Sequence, residues 1–334
     1  MHPLPRRVIA TYVVLVALVA AVPALALLLG QGNLGDASLR ATLLELRATR
    51  IAASMLAGAA LAVGGVVAQG LFRNPLVSPS ILGTTSGAML GGQTAMLIYA
   101  ALPALHASAG IRPAMVMPLG CLLGAQGALV VLLLFVRERS DNLGLLLTGF
   151  ILSSLFRALG GFVTSLAQDS WDLARAVVAF TLGGVGGVGW HQLLLAAPLA
   201  LIGIVALWAW GPTLDLLLSG EDEAASLGVD VTTTRRWLTV WLALLAGAAV
   251  SVGGNVAFVG LVVPHVLRRF LGVDHRRLIP AAALAGGVFV LACDIVARLV
   301  PTRAEIPLGV VTGIIGAPLF LVLLARSQRG LADV

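Results

Sequence analysis

Apolar runs long enough to cross a bilayer recur along the whole 334-residue chain. Inside a membrane only helices and closed barrels satisfy their own backbone groups, and a crossing helix needs about 20 mainly apolar residues. Such runs lie near residues 8–29, 48–71, 79–101, 113–136, 143–167, 190–210, 236–254, 257–271, 280–299 and 307–325. They predict an all-α polytopic membrane protein of about ten transmembrane helices, built as a single domain over residues 1–334. Residues 171–189 suit a partial helix followed by a glycine-rich turn, not a full crossing. Charged residues make up only 11% of the chain, against roughly 25% in a soluble domain. The 39 glycines suit helices packed closely in lipid. The first run exceeds the ~7–15-residue core of a signal peptide, so a retained helix is expected although Ala24-Leu25-Ala26 imitates a cleavage site.

All 21 basic residues are arginine. Without lysine there is no Walker A loop to bind nucleotide and no Schiff-base chemistry. The net charge of +6 is scattered between apolar runs, unlike the clustered basic face of a nucleic-acid binder, so orientation in the membrane accounts for it better. With the N-terminus inside, the inner ends carry Arg6, Arg7, Arg73, Arg137, Arg139, Arg235, Arg236, Arg268, Arg269, Arg276, Arg277, Arg326 and Arg329. The outer ends carry the smaller set Arg40, Arg47, Arg50, Arg112, Arg175, Arg298 and Arg303. The bias predicts both termini in the cytoplasm. Cys121 and Cys293 sit in apolar runs and read as small buried residues. His2, His106, His191, His265 and His275 show no metal-ligand spacing, so no metal centre is expected.

The chain also repeats itself. The twelve residues Ala57–Ala68 align without gaps on Ala246–Ala257, and nine of the twelve are identical. At the same offset of 189, Pro75 meets Pro264, Val77 meets Val266, and Leu82-Gly83 meets Leu271-Gly272. The copies fall in the second and seventh runs and so cross in opposite directions, as in transporters built from inverted repeats. Two similar small-residue packing faces are the plainer alternative.

The longest polar stretch assigned to the cytoplasmic side runs from Gly211 to Arg236. Within it Gly220 and Gly228 bracket a short acidic, alanine-rich helix, Glu221-Asp222-Glu223-Ala224-Ala225-Ser226-Leu227, with Gly228 suited to the position after its C-cap. Acidic charge on the arginine-rich side favours a protein partner over lipid headgroups, with a merely solvated loop helix as the equal alternative. This segment resembles the coupling helices of permease subunits of bacterial ABC importers for iron chelates, haem and cobalamin, the FecCD or cobalamin-permease-like family. The same family is matched by Arg47-Ala-Thr-Arg50, by Gln69 through Arg73-Asn74-Pro75-Leu76-Val77-Ser78-Pro79, and by Phe258 through Pro264-His265 to Arg268. Asp294 to Arg298 and Glu305-Ile306-Pro307-Leu308-Gly309 through Pro318 complete the pattern in family order.

The resemblance implies a type II importer permease in the bacterial inner membrane, working as a homodimer with its pore between two copies. It also implies two cytoplasmic ATPase subunits that bind ATP and Mg²⁺, and a periplasmic substrate-binding protein. Gly220 to Gly228 would seat in the ATPase, so residues 211–236 form the coupling segment. Arg47, Arg50 and Arg298 stand at family positions that meet acidic residues of the binding protein, a task suited to the guanidinium fork. Without the family, Arg47 and Arg50 read as snorkelling arginines. Arg157 lies near the middle of the fifth run and is expected to line the pore and assist an anionic substrate, or else to bond carbonyls. Gly183, Gly184, Gly186 and Gly187 are expected in the outer vestibule, and Asn74, Pro75, Pro264 and His265 at turns or gates. Asp294 and Arg298 are spaced for an i,i+4 ion pair. An iron chelate, haem or ferric siderophore, is the first substrate, with cobalamin second. An ion-coupled secondary transporter is the rival class, but it needs acidic residues deep in the spans, and beyond Asp294 they are almost absent.

Overall fold

A computed structural model describes residues 6–30, 35, 37–102, 112–135, 142–300 and 305–332. Arg137, Arg139, Arg303, His2 and His106 lie outside them. Within the described residues the chain is α-helical: α1 (Arg6–Leu28), α2 (Ala37–Leu71), α3 (Thr84–Ala101), α4 (Pro113–Phe135), α5 (Asn142–Leu166), α6 (Trp171–Leu182), α7 (Trp190–Ala209), α8 (Gly211–Leu218), α9 (Glu221–Ser226), α10 (Val231–Gly253), α11 (Val259–Leu271), α12 (His275–Leu299) and α13 (Leu308–Ala332). All ten expected runs are helices. Seven of them, α1, α2, α4, α5, α7, α10 and α12, are long and apolar enough to cross a membrane on their own.

The other three depart from a simple span for local reasons. The run expected from 79 opens with a 3₁₀ turn, Pro79–Leu82, closed by Gly83 at φ +81. That leaves α3 with 18 residues, and it carries Thr84, Thr85, Ser86 and Gln93, all buried. Helix α11 has 13 residues, and α13 is apolar over Leu308–Leu323. Helix α2 starts eleven residues earlier than its apolar run and reaches 35 residues, because polar turns extend a helix beyond the part that meets hydrocarbon. Residues 171–189 form the expected short helix, α6, and a glycine-containing turn.

Leu, Val and Ala fill the core, and small residues set its closest helix contacts. Helices α2, α10 and α12 are the most buried and α1 the least. A Cβ on Gly58 would overlap the carbonyl of Gly286, one on Gly70 would reach the His275 ring, and Gly287 packs on Met55. Rising positions on α2 therefore meet falling positions on α12, and the two run antiparallel. The same holds for α2 and α10, where Gly64 faces Leu242 and Ala57 faces Gly253. Helices α3 and α4 share a second seam: Gly87 and Gly91 press on Gly120 and Gly124, two small-x₃-small patterns back to back. Dispersion between closely spaced backbones replaces the hydrophobic drive that lipid removes.

Candidate functional site

Two groups of residues stand at opposite ends of α12. Nineteen residues separate His275 from Asp294, about 28 Å at 1.5 Å per residue.

At the Asp294 end, a carboxylate with no exposed surface pairs with Arg50 and Arg298, and Arg47 bonds carbonyls at the end of α1. Arg50 donates from Nε to both Asp294 oxygens at 2.9 and 3.1 Å, and from Nη1 to Glu305 at 2.9 and 3.0 Å. Arg298 pairs with Asp294 at 3.0 Å, one helical turn on, the i,i+4 pair its spacing predicts. Arg298 also reaches back to the carbonyls of Leu29 and Ala26. Arg47 is 5% exposed and donates to the carbonyls of Leu27 and Leu28 and to Gly30. These acceptors are the orphan carbonyls at and beyond the end of α1. Of the three arginines expected to meet a binding protein, Arg47 and Arg298 are mostly buried and hold α1 against α2 and α12. Arg50 alone reaches outward, through a half-exposed Glu305.

Beside Arg50 opens a cavity of about 460 Å³. Gly183, Gly184, Gly186 and Gly187 form one wall, together with Met96, Met117 and Phe180. The turn is stitched into the core. Gly184 N donates to Gly253 O at 3.0 Å, and Leu308 N donates to Gly183 O at 2.9 Å. Gly183 sits at φ +80, and a Cβ there would meet Asn255 O, so both conformation and space require glycine. Helix α6 is anchored from below by the buried Gln93, whose Nε2 donates to Thr181 Oγ1 at 2.8 Å.

Arg157 lies on the exposed face of α5, where it donates to Ser154 Oγ at 3.1 Å. Around it Phe150, Ile151, Leu155, Leu159 and Phe162 are exposed. A guanidinium in mid-span cannot rest against lipid without large cost.

At the opposite end, α8 and α9 form a knob. Ala224 is fully buried beneath it, while Asp222, Glu223, Ala225, Ser226 and Leu227 face outward. Gly220 enters at φ +130 and Gly228 leaves at φ +89. Gly228 N bonds to Ala225 O and Val229 N to Ala224 O, the paired bonds of a Schellman C-terminus. Glu221 bonds Arg235 of α10. Asp230 caps α10 by accepting from Thr233 N at 3.0 Å and Thr233 Oγ1 at 2.6 Å, and these bonds hold its carboxyl below the usual range. Asp215 of α8 accepts from His275 N and bonds His275 Nδ1 at 2.6 Å, which ties the knob to the first turn of α12. Sequence reasoning passed over Asp215, Glu305 and Gln93. Asp215 and His275 lie 60 positions apart, and no local pattern joins them.

Asn74 and Pro75 form a turn in which Val77 N bonds Asn74 O and Leu76 N bonds Asn74 Oδ1. Pro264 is buried inside α11, and His265 meets Phe320 edge-on with ring centroids 6.4 Å apart. Among the described residues no three His, Cys, Asp or Glu side chains converge as metal ligands.

Residues 8–326 match the FecCD transport family. A vitamin B12 import system permease, BtuC of Vibrio vulnificus, is 38% identical over 333 residues, covering 97% of this chain and 96% of that one. A hemin transport system permease, HmuU of Yersinia pestis, is 37% identical over 287 residues, covering 86% and 84%. A solved structure described as an inward-facing metal-chelate type ABC transporter superposes with a TM-score of 0.83 at 31% identity, over 96% of this chain and 99% of that one.

Proposed function

The chain belongs to the FecCD transport family, and from that membership we propose that it imports an iron chelate, haem or a ferric siderophore, from periplasm to cytoplasm through a pore between two copies of itself. It is a multi-pass membrane permease of an ABC importer. The observation that carries the proposal is the exposed α5 face with Arg157 at its middle. An apolar face interrupted by a cation in mid-span suits burial against a second copy around a wet path, and the cation suits a substrate bearing carboxylates. Two relatives with different cargo, a cobalamin and a hemin permease, stand at 38% and 37% identity. Overall similarity is therefore silent on cargo, and the lining must carry the choice. Cobalamin is the second reading, favoured by the resemblance of Gly183-Gly184 through Gly187-Val188 and Trp190 to cobalamin permeases.

The two ends of α12 then take separate parts. Two ATPase subunits bind ATP and Mg²⁺ and receive the α9 knob, whose Asp222, Glu223 and Leu227 are open to contact. Closure of the ATPase pair pushes α8, and the Asp215–His275 bonds pass that push to α12. At the other end a periplasmic binding protein docks over the cavity beside Arg50. Because Arg50 already holds Glu305, an arriving carboxylate replaces Glu305 at the guanidinium and loosens the segment 305–308, which is stitched to Gly183. The protein lies in the inner membrane with both termini cytoplasmic.

Uptake into liposomes holding the permease and its ATPase tests this reading, with haem, a ferric siderophore and cobalamin offered in turn. ATP-dependent uptake of an iron chelate that falls at least tenfold in Arg157→Ala supports it. Uptake of cobalamin alone transfers the assignment to the second reading. Uptake driven by an ion gradient without ATPase overturns both. Reversing Glu221 and Glu223 to Lys is expected to abolish ATPase association, and unchanged association would remove α9 from the interface.

A further inference from the structure

One cavity among the described residues has no part in the path described above. It is a groove of about 760 Å³ between α1, α11, α12 and α13, within the ~300–1,000 Å³ range of small-molecule sites. Ala10, Val14, Val263, Phe289 and Leu319 contribute to an almost wholly apolar lining. Two of its lining residues carry charge, Arg7 and Arg269, both exposed, and no carboxylate lines it.

The geometry sets the groove's direction and depth. Arg7 is the second residue of α1 and Arg269 lies in the last turn of α11. Tyr12 donates to Arg277 O at 2.6 Å, which ties the start of α1 to the start of α12, so both arginines lie at one end. From there the groove passes along α12 to Ala285 and Phe289, ten to fourteen residues from His275, about 15–20 Å. One leaflet of hydrocarbon is about 15 Å deep. The groove is thus a one-leaflet channel with two cations at the headgroup level and apolar walls below.

We infer that this groove binds an anionic phospholipid of the leaflet on the α9 side, its phosphate between Arg7 and Arg269 and one acyl chain along α12. A zwitterionic lipid offers the same chain without the net charge, and basic pockets between transmembrane helices on that side select for anionic headgroups. The lipid fills the space that leaves α1, the least buried of the crossing helices, thinly packed. It also braces α11 near Pro264.

The purified permease with its ATPase subunits is equilibrated with phosphatidylcholine vesicles with or without phosphatidylglycerol, and retained lipid is weighed by native mass spectrometry. The intact complex is expected to retain phosphatidylglycerol preferentially. Arg7→Gln with Arg269→Gln weakens that preference roughly thirtyfold, at about fivefold per arginine. Arg6→Gln, outside the lining, leaves it unchanged. Ala10→Trp, which fills the groove and keeps both arginines, expels the lipid. Preference that survives the double substitution or Ala10→Trp overturns the site, and loss of preference in Arg6→Gln reduces it to general charge. If Ala10→Trp instead splits a dimer into single copies, the groove belongs to a second copy and the lipid reading fails.

Discussion

The two copies of the internal repeat share nine of twelve residues and fold differently. In the first, Gly64 and Gly65 lie within α2, which continues unbroken to Leu71. In the second, the matching Gly253 ends α10, Gly254 turns to φ +63, and the chain re-enters a helix only at Val259. Of the mismatches, the one at the break sets the fully buried Val66 against the exposed Asn255. The copies pack on each other through Ala57 and Gly253, and Gly65 meets the backbone of Gly260 just beyond the second copy. What the repeat shares is therefore a surface thin enough for close approach, and helix continuity is set elsewhere. At the second copy, Gly183 and Gly309 crowd the Asn255 carbonyl while Gly184 takes that of Gly253. The glycine turn and the start of α13 occupy the place where another helical turn would go.

Substitutions can break that comparison in descending order of effect. Gly65→Leu should cost most. Its Cβ would overlap the Gly260 backbone, which has no flexible end to yield, so the cost exceeds the ~1–3 kcal/mol of ordinary overpacking. Size-exclusion chromatography should show aggregated protein, and a normal monodisperse peak would show that the seam opens. Gly254→Ala comes next, because the residue combines φ +63 with a Cβ at 2.5 Å from Phe180 O. A loss of about 1–3 kcal/mol is expected, read as a lowered unfolding temperature. Gly64→Ala, one position before Gly65, the true counterpart of Gly254, meets only side chains, Pro79 Cγ at 3.0 Å and Leu242 at 3.7 Å. It should change stability by under ~1 kcal/mol, since alanine favours the helix by about that amount. Equal losses at Gly254 and Gly64 would mean that the left-handed turn of the broken copy adds nothing to the cost.

Glu305→Gln sharpens the same contrast on the side of the broken copy. The half-exposed Arg50–Glu305 pair is screened and contributes at most ~1 kcal/mol. Hydrogen exchange is expected to quicken at 183–187 and to stay unchanged at 221–228. Quickening at both ends would mean that α12 transmits the loss. The smallest effect is assigned to Asn255→Val, which makes the second copy match the first at the break. Stability should move by no more than ~0.5 kcal/mol and amides 254–258 should keep their exchange pattern. Slowed exchange there would show that one side chain, and not the packing around it, keeps the helix broken.

The α9 knob was legible from sequence, since two glycines and an acidic first turn act within a few residues of each other. So was the Asp294–Arg298 pair, which needs only helical spacing. The inward ties of Arg47 left no mark in the sequence, because its partners, the carbonyls closing α1, lie 17 to 20 positions away. Glu305 could not be joined to Arg50 across 255 positions, nor Asp215 to His275, because contacts at such separations follow from how whole helices pack and leave no periodic trace.

What the sequence determined alone was the solvent and the secondary structure. Hydrocarbon demands internally bonded backbone, so runs of about 20 apolar residues become helices whatever surrounds them. Tertiary structure decided where helices stop, which arginines are tied inward and which glycines must stay glycine. Each of those depends on a backbone or carboxylate brought within a few ångströms by packing.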